Sequence, residues 1–107
     1  MSTERIRELN DLLRKYGLGG QTFVTDGVKA LGLEFMFMAL GMLREHDDFN
    51  ADNDPHGEHD YGSFTMMDRI LIWKIDYYAP DMIGGSSDPS DPNQTTRVLT
   101  LMLAIEY

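Results

Sequence analysis

From Thr3 to Tyr16 the apolar residues Ile6, Leu9, Leu13 and Tyr16 recur at three- and four-residue steps, the spacing of one helix face. Thr3 is placed to cap this helix, and Gly17 to end it in the left-handed region. Gln21–Thr25 reads as a short strand with Phe23 and Val24 on opposite faces. Asp26 can cap a second helix running from Gly27 to Glu45. Its apolar positions nearly encircle it, with Val28, Leu31, Phe35, Met38 and Met42 on one stripe and Leu33, Met36, Phe37, Leu40 and Leu43 elsewhere. A helix apolar all round is expected to be central and buried. Any face left open would offer adaptable Met and Phe side chains to a partner.

The pattern lapses over residues 46–62, a long polar connection. Ser63–Met67 and Ile70–Tyr77 then read as paired strands joined at Asp68-Arg69. The second alternates cleanly, with Leu71, Trp73, Ile75 and Tyr77 to one side and Ile70, Ile72, Lys74 and Asp76 to the other. Residues 79–92, broken by Pro80, Gly84, Gly85, Pro89 and Pro92, form a Gly/Pro/Ser-rich loop. The stretch from Pro92 to Glu106 has strand propensity around Arg97–Ile105, yet Asp91, Pro92 and Gln94 occupy the N-cap, N1 and N3 positions of a helix start. A helix is therefore expected there, with Val98, Met102 and Ile105 on one face. The resulting order is α-β-α-β-β-α. It defines an α+β fold, one domain over residues 1–107, in which three helices pack on a small antiparallel sheet of about three strands.

Composition narrows the function more by exclusion than by assignment. The chain has 107 residues, enough for one core, and contains no cysteine, which removes disulfides, thiolate metal sites and cysteine nucleophiles. The longest apolar stretch, Leu31–Leu43, interrupted by Gly32, Glu34 and Gly41, is too short to span a bilayer, and the charged N-terminus lacks a signal-peptide core. No membrane association is expected, and the expected location is the cytoplasm. The net charge is −9, and its placement is uneven. Residues 1–45 carry six acids and six bases, whereas residues 46–62 carry Asp47, Asp48, Asp52, Asp54, Glu58 and Asp60 with no Lys or Arg. Direct nucleic-acid binding needs clustered cations and is disfavoured. A basic protein or a cation is the natural complement.

The acidic loop also holds all three histidines, His46, His56 and His59. Asp54, His56, Glu58, His59 and Asp60 supply the donor types of a divalent metal site with an open position, and such a site could activate water. Sharper motifs fail. An EF-hand begun at Asp52 places His56 at position 5 and Ser63 at position 12. His56-Gly57-Glu58 lacks the cysteines of zinc deaminases, and there is no His-Glu-x-x-His, nucleophile elbow or phosphate loop. Gly84-Gly85-Ser86-Ser87 has no strand-to-helix setting. Asp, Asn, Pro and Gly also serve simply as turn residues, with Asp and His bonded to backbone amides. Clustered carboxylates predict raised pKa values for the histidines among them.

A second patch, Trp73, Lys74, Asp76, Tyr77 and Tyr78, follows the loop directly. Strand packing accounts for it, with Lys74 and Asp76 on the wetter face. In the functional alternative, Asp76 or Tyr78 meets His59 and Asp60 to form a polar site.

Arg5-Ile-Arg-Glu-Leu-Asn-Asp11, Asn53-Asp-Pro-His-Gly-Glu-His-Asp-Tyr-Gly62, Trp73-Lys-Ile-Asp-Tyr-Tyr78 and Arg97–Tyr107 together resemble the bacterial family of domain of unknown function 3768. The resemblance covers nearly the whole chain in matching order. It implies no activity and no catalytic residue. Two features depart from the pattern: the turn at Met67-Asp68-Arg69 lacks a glycine, and the second helix is richer in Met and Phe.

Two functional classes follow. In the first, the chain is a binding module for a basic protein, docking through Asp52, Asp54, Glu58 and Asp60 or through the Met/Phe helix. By analogy with the anti-restriction and anti-CRISPR proteins of bacterial mobile elements, such a module could inhibit a nucleic-acid-handling partner. In the second it is a small hydrolase with a divalent metal at Asp54, His56, Glu58, His59 and Asp60. The failed motifs favour the first class. No other cofactor is implied, and no oligomeric state is indicated.

Overall fold

The computed structural model describes residues 2–107. Helix α1 spans Thr3–Tyr16. Its N-cap is Ser2, whose Oγ accepts the Arg5 N–H, one residue earlier than the sequence pattern suggests. Gly17 ends it at φ 70°, and the glycine N–H returns to the carbonyls of Leu12 and Leu13. Strand β1 (Gln21–Val24) follows, then a short helix α2 (Asp26–Lys29) and a longer one, α3 (Leu33–Glu45). Thr25, not Asp26, is the N-cap residue of α2. The single helix expected over Gly27–Glu45 is thus two. Gly32 at φ 102° turns the chain between them, a conformation that strains any residue with a Cβ.

Strands β2 (Tyr61–Met66) and β3 (Arg69–Tyr78) form a hairpin, and β4 (Thr96–Leu103) completes the sheet in the order β1-β4-β3-β2. β2–β3 and β3–β4 are antiparallel, whereas β1–β4 is parallel. The fold is α+β as expected, but the sheet is mixed and has four strands. The extra strand is β4, where the cap signals point to a helix. Those signals operate, though only locally: Asp91 accepts the Asn93 N–H and opens a single 3-10 turn at Pro92–Gln94. Beyond it Arg97–Leu99 and Leu101–Leu103 are all buried, the pattern of a strand covered on both faces. β4 pairs on both sides, with β1 and β3, and tertiary pairing overrides the isolated cap. A last 3-10 turn, Ala104–Glu106, docks the C-terminus, with the Glu106 carboxylate accepting Thr25 Oγ1 and the Gly27 N–H.

The core lies between the helices and one face of the sheet. Leu13 of α1, Val28 of α2 and Phe35, Ala39 and Leu43 of α3 pack on Leu71, Trp73 and Ile75 of β3 and Leu99, Leu101 and Leu103 of β4. The predicted alternation of β3 holds on the helix side, where Leu71, Trp73 and Ile75 are buried, whereas on the other face Ile70 is exposed but Ile72 is buried as well. α3 is not the encircled central helix that its composition suggests. It buries one side and leaves Leu33, Phe37, Met38 and Met42 exposed, Phe37 at 64%. The central position belongs to β4. The β2–β3 turn is a two-residue one at Met67-Asp68, with φ 50° and 63°, and reaches the doubly left-handed geometry without glycine. Among the described residues no helix is long and apolar enough to cross a membrane.

Two glycines make opposite demands. Gly62 lies across from Trp73, and a Cβ there would collide with the indole. Gly62→Ala is therefore expected to destabilise by about 1–3 kcal/mol. Gly41 sits within α3 with no neighbour within 4 Å of where its Cβ would be. Gly41→Ala should stabilise by about 0.5–1 kcal/mol. Urea denaturation of both variants checks the pair.

Candidate functional site

α1 buries two polar residues one turn apart, Asn10 and Arg14. Arg14 Nη1 donates to the carbonyls of Leu43 (3.3 Å), Arg44 (3.3 Å) and His46 (2.6 Å). These are carbonyls at the end of α3, of which Leu43 also accepts the His46 N–H, and a cation there faces the negative end of the helix. Nη2 donates to Asp11 Oδ1 at 3.1 Å. The guanidinium lies 5.3 Å from the Phe49 ring centre and 5.6 Å from that of Trp73. Arg44 reciprocates, its Nη1 donating to the carbonyls of Arg14 and Lys15 at the end of α1. Each helix thus supplies the arginine that caps the other.

The loop over residues 46–60 is fastened to this frame. His59 stacks on Phe49 with ring centres 3.7 Å apart and planes 8° from parallel. Its Nδ1 is 2.8 Å from Asp11 Oδ1 and its Nε2 3.6 Å from Asp54 Oδ2. The buried Asp54 also accepts the His59 N–H, which holds His59 at φ 55°. Asn10 Nδ2 donates to the Glu58 carbonyl (3.0 Å) and to Tyr77 Oη (2.8 Å), and Arg97 Nε donates to Asn10 Oδ1 (2.7 Å). The Tyr77 hydroxyl in turn donates to Glu58 Oε1 at 2.8 Å. Burial pushes that phenol well above its ordinary range. Arg7 ties the Gly57 carbonyl to α1.

The expected site residues therefore divide. Asp54 is buried, Glu58 and Asp60 are half-buried, and Asp52 and His56 are exposed. Asp54, Glu58 and His59 are turned into the hydrogen-bond network. Among the described residues no group of three or more His, Asp or Glu side chains is placed to hold a metal ion. Trp73 is fully buried and meets the rings of His46 and Phe49 edge-on. Lys74 and Asp76 pair with each other at 2.8 Å. Besides Trp73 with its ring contacts, the β3 side chain that reaches the loop is Tyr77, which joins its hydrogen-bond network, not Asp76 or Tyr78. Alternation along the strand puts Tyr77 on the helix side and its two neighbours on the other. The expected rise in histidine pKa fails at His46, which burial and the Arg14 guanidinium hold below the ordinary value despite Asp48 and Asp47. His46 Nε2 is buried without a protein partner, so a proton there would go unsatisfied.

A different feature is open to a ligand. Two adjoining depressions lie between α3 and the β2–β3 hairpin. One, of about 380 Å³, is lined by Leu31, Glu34, Phe35, Met38, Met67 and Arg69. The other, of about 250 Å³, is lined by Met42, Glu45, His46, Asp47, Asp48 and Phe64. Met38 of the first and Met42 of the second are one helical turn apart, which places the two in line along α3 as a discontinuous groove. Its floor is Met and Phe, and its charged lining is Glu34 and Arg69 at one end and Glu45, Asp47 and Asp48 at the other. The sequence signal for it is the surplus of apolar positions on α3 beyond one face, followed at once by Asp47-Asp48.

Removing the Arg14 guanidinium takes the side-chain donor from three carbonyls at the end of α3 and the cation from beside Asp11. Arg14→Leu should cost about 3–5 kcal/mol in chemical denaturation, on the scale of other broken buried pairs. The pH dependence has two limbs of opposite sign. Because the folded His46 binds its proton less readily than the unfolded one, stability falls as pH drops through the ordinary value of 6.5. His46→Phe should flatten that limb. Asp60 is held above its ordinary value by burial, Glu58 and Asp54, so the folded chain protonates it first. Its charged form penalises the folded state at neutral pH, and the penalty fades as pH falls through the raised pKa. Asp60→Asn should raise Tm at pH 7, with the gain gone below the ordinary Asp value of 3.8.

Comparison with known proteins agrees with the motifs from the middle and end of the chain. Residues 24–106 match the family described as "Protein of unknown function (DUF3768)". No curated protein and no solved structure matches. The match takes in the fastened loop, the hairpin and β4, and the chain belongs to the DUF3768 family.

Proposed function

We propose that this protein is a binding module for a basic protein partner, held in the groove between α3 and the β2–β3 hairpin. One observation carries this reading: exposed Met38, Met42 and Met67 sit beside Glu34, Glu45, Asp47 and Asp48, acids that form no ion pair among the described residues. Methionine adapts its shape to a guest, and the acids select a cationic one. The loop carboxylates contribute unequally. Asp47, Asp48 and Asp52 face solvent, whereas Asp54 and Glu58 are committed to the fold. A nucleic-acid-handling protein, whose own binding site is rich in Lys and Arg, has the matching chemistry, and occupying that site would inhibit it.

Methyl-labelled methionine gives a direct test. The protein is titrated at low salt with two short synthetic peptides, one alternating Thr with Leu or Lys and one helix-forming from Leu, Lys and Ala. The methyl signals of Met38, Met42 and Met67 should shift while that of buried Met102 stays, and binding should weaken as salt is added. Met38→Asp should reduce affinity at least about tenfold. If neither peptide moves these methyls, the proposal fails.

A further inference from the structure

We infer that the partner's segment docks as a fifth strand on the free edge of β2, an inference that rests on the groove reading above and specifies its mode. β2 ends the sheet, and its sequence, Tyr61-Gly-Ser-Phe-Thr-Met66, contains no charge and no proline. Natural edge strands are commonly blunted by Lys, Pro, a bulge or extreme shortness. The opposite edge, β1, is only four residues long. β2 has six residues paired without a bulge to β3 and none of these protections.

The backbone polarity of this edge follows from two anchors. The Ile75 N–H donates to the Asp60 carbonyl at 2.8 Å, and the hairpin closes through a two-residue turn between Met66 and Arg69. Antiparallel pairs alternate, so Gly62, Phe64 and Met66 direct their backbone groups into the ladder. Tyr61, Ser63 and Thr65 direct theirs outward, where a strand can bind them. Ser63 and Thr65 are themselves exposed.

Side chains of an added strand would alternate between the two faces of the sheet. Those on the helix side enter the groove beside Phe64. At one end they meet Met38 and Met67. At the other, Lys or Arg stems lie along Met42 and Phe64 with their heads at Glu45, Asp47 and Asp48. Those on the other side lie next to Ser63 and Thr65 and carry no charge requirement. The occupant is therefore an extended segment with apolar and basic residues at every second position. A second copy of this chain is the poorer fit, because pairing two β2 edges brings two sets of these acids together in a protein of net charge −9.

Hydrogen exchange of the unmodified protein reads the mode directly. With the alternating Thr/Leu/Lys peptide bound, the amides of Tyr61, Ser63 and Thr65 should gain protection, while those of Gly62, Phe64 and Met66 are protected already. N-methylating the peptide at one alternate set of residues should weaken binding about tenfold, and methylating the other set should not. If the peptides shift the groove methionines but the three outward amides stay unprotected, the inference is overturned and the groove reading stands. If neither peptide reaches the groove, both fall. Concentration-dependent protection of those amides without peptide would make a second copy the occupant and overturn the inference.

Discussion

The guanidinium of Arg14 is buried under Trp73 and Phe49 while it collects three carbonyls from the end of α3. Its two Nη groups are used on the backbone of another element and on Asp11, which makes the burial tolerable although the buried Nε–H has no partner among the described residues. Arg44 performs the converse service for α1, so the two long helices are joined end to end by exchanged caps. The chain beyond α3 then leaves its helix at a fixed point. His46, Phe49 and His59 assemble around the same arginine, and Asp11 serves Arg14 and His59 alike. Loss of the arginine would release the helix ends and the long loop together.

That constraint divides the acidic segment into two populations with different chemistry. Asp54 and Glu58, together with the Asn10–Tyr77–Arg97 chain, anchor the loop across α1 and the sheet. Their geometry resembles a site because hydrogen-bonded carboxylates and imidazoles use the same atoms for structure as for catalysis. Asp47, Asp48 and Glu45, by contrast, are left in solvent beside Met42 and Phe64. Fixing the inner set is what positions the outer set along the groove.

Much of the architecture was legible in local pattern. The α1 spacing, the Gly17 stop and the helix-side alternation of β3 each arise from neighbours in sequence, and each is observed. β4 was not legible, because its helix-start residues are satisfied by one 3-10 turn and its strand character comes from pairing with β1 and β3. The break at Gly32 was not legible because Gly32, Glu34 and Gly41 all interrupt the apolar run from Leu31 to Leu43, and nothing local sets Gly32 apart. The inner network was half visible. His59 and Glu58 stood out by type, but Asn10, Arg14 and Arg97 look like surface residues until the topology brings them inward. Tyr77, not its neighbours, joins the loop for a reason of parity that becomes usable only once the helix side of the sheet is known.

Natural sequences tend to satisfy local rules, and departures from them concentrate where function competes with stability. Here several departures occur together on the α3–hairpin side. Met67 occupies a left-handed position that strains a residue with a bulky side chain. Gly41 weakens the middle of α3 without making room for any neighbour of its own fold. β2 presents an uncharged edge, and Met38 and Met42 remain in solvent although the core beneath is closed. The left-handed His59, in contrast, is repaid locally by Asp54 and Asp11. A partner seated on the groove side would use the exposed methionines and the open strand edge together.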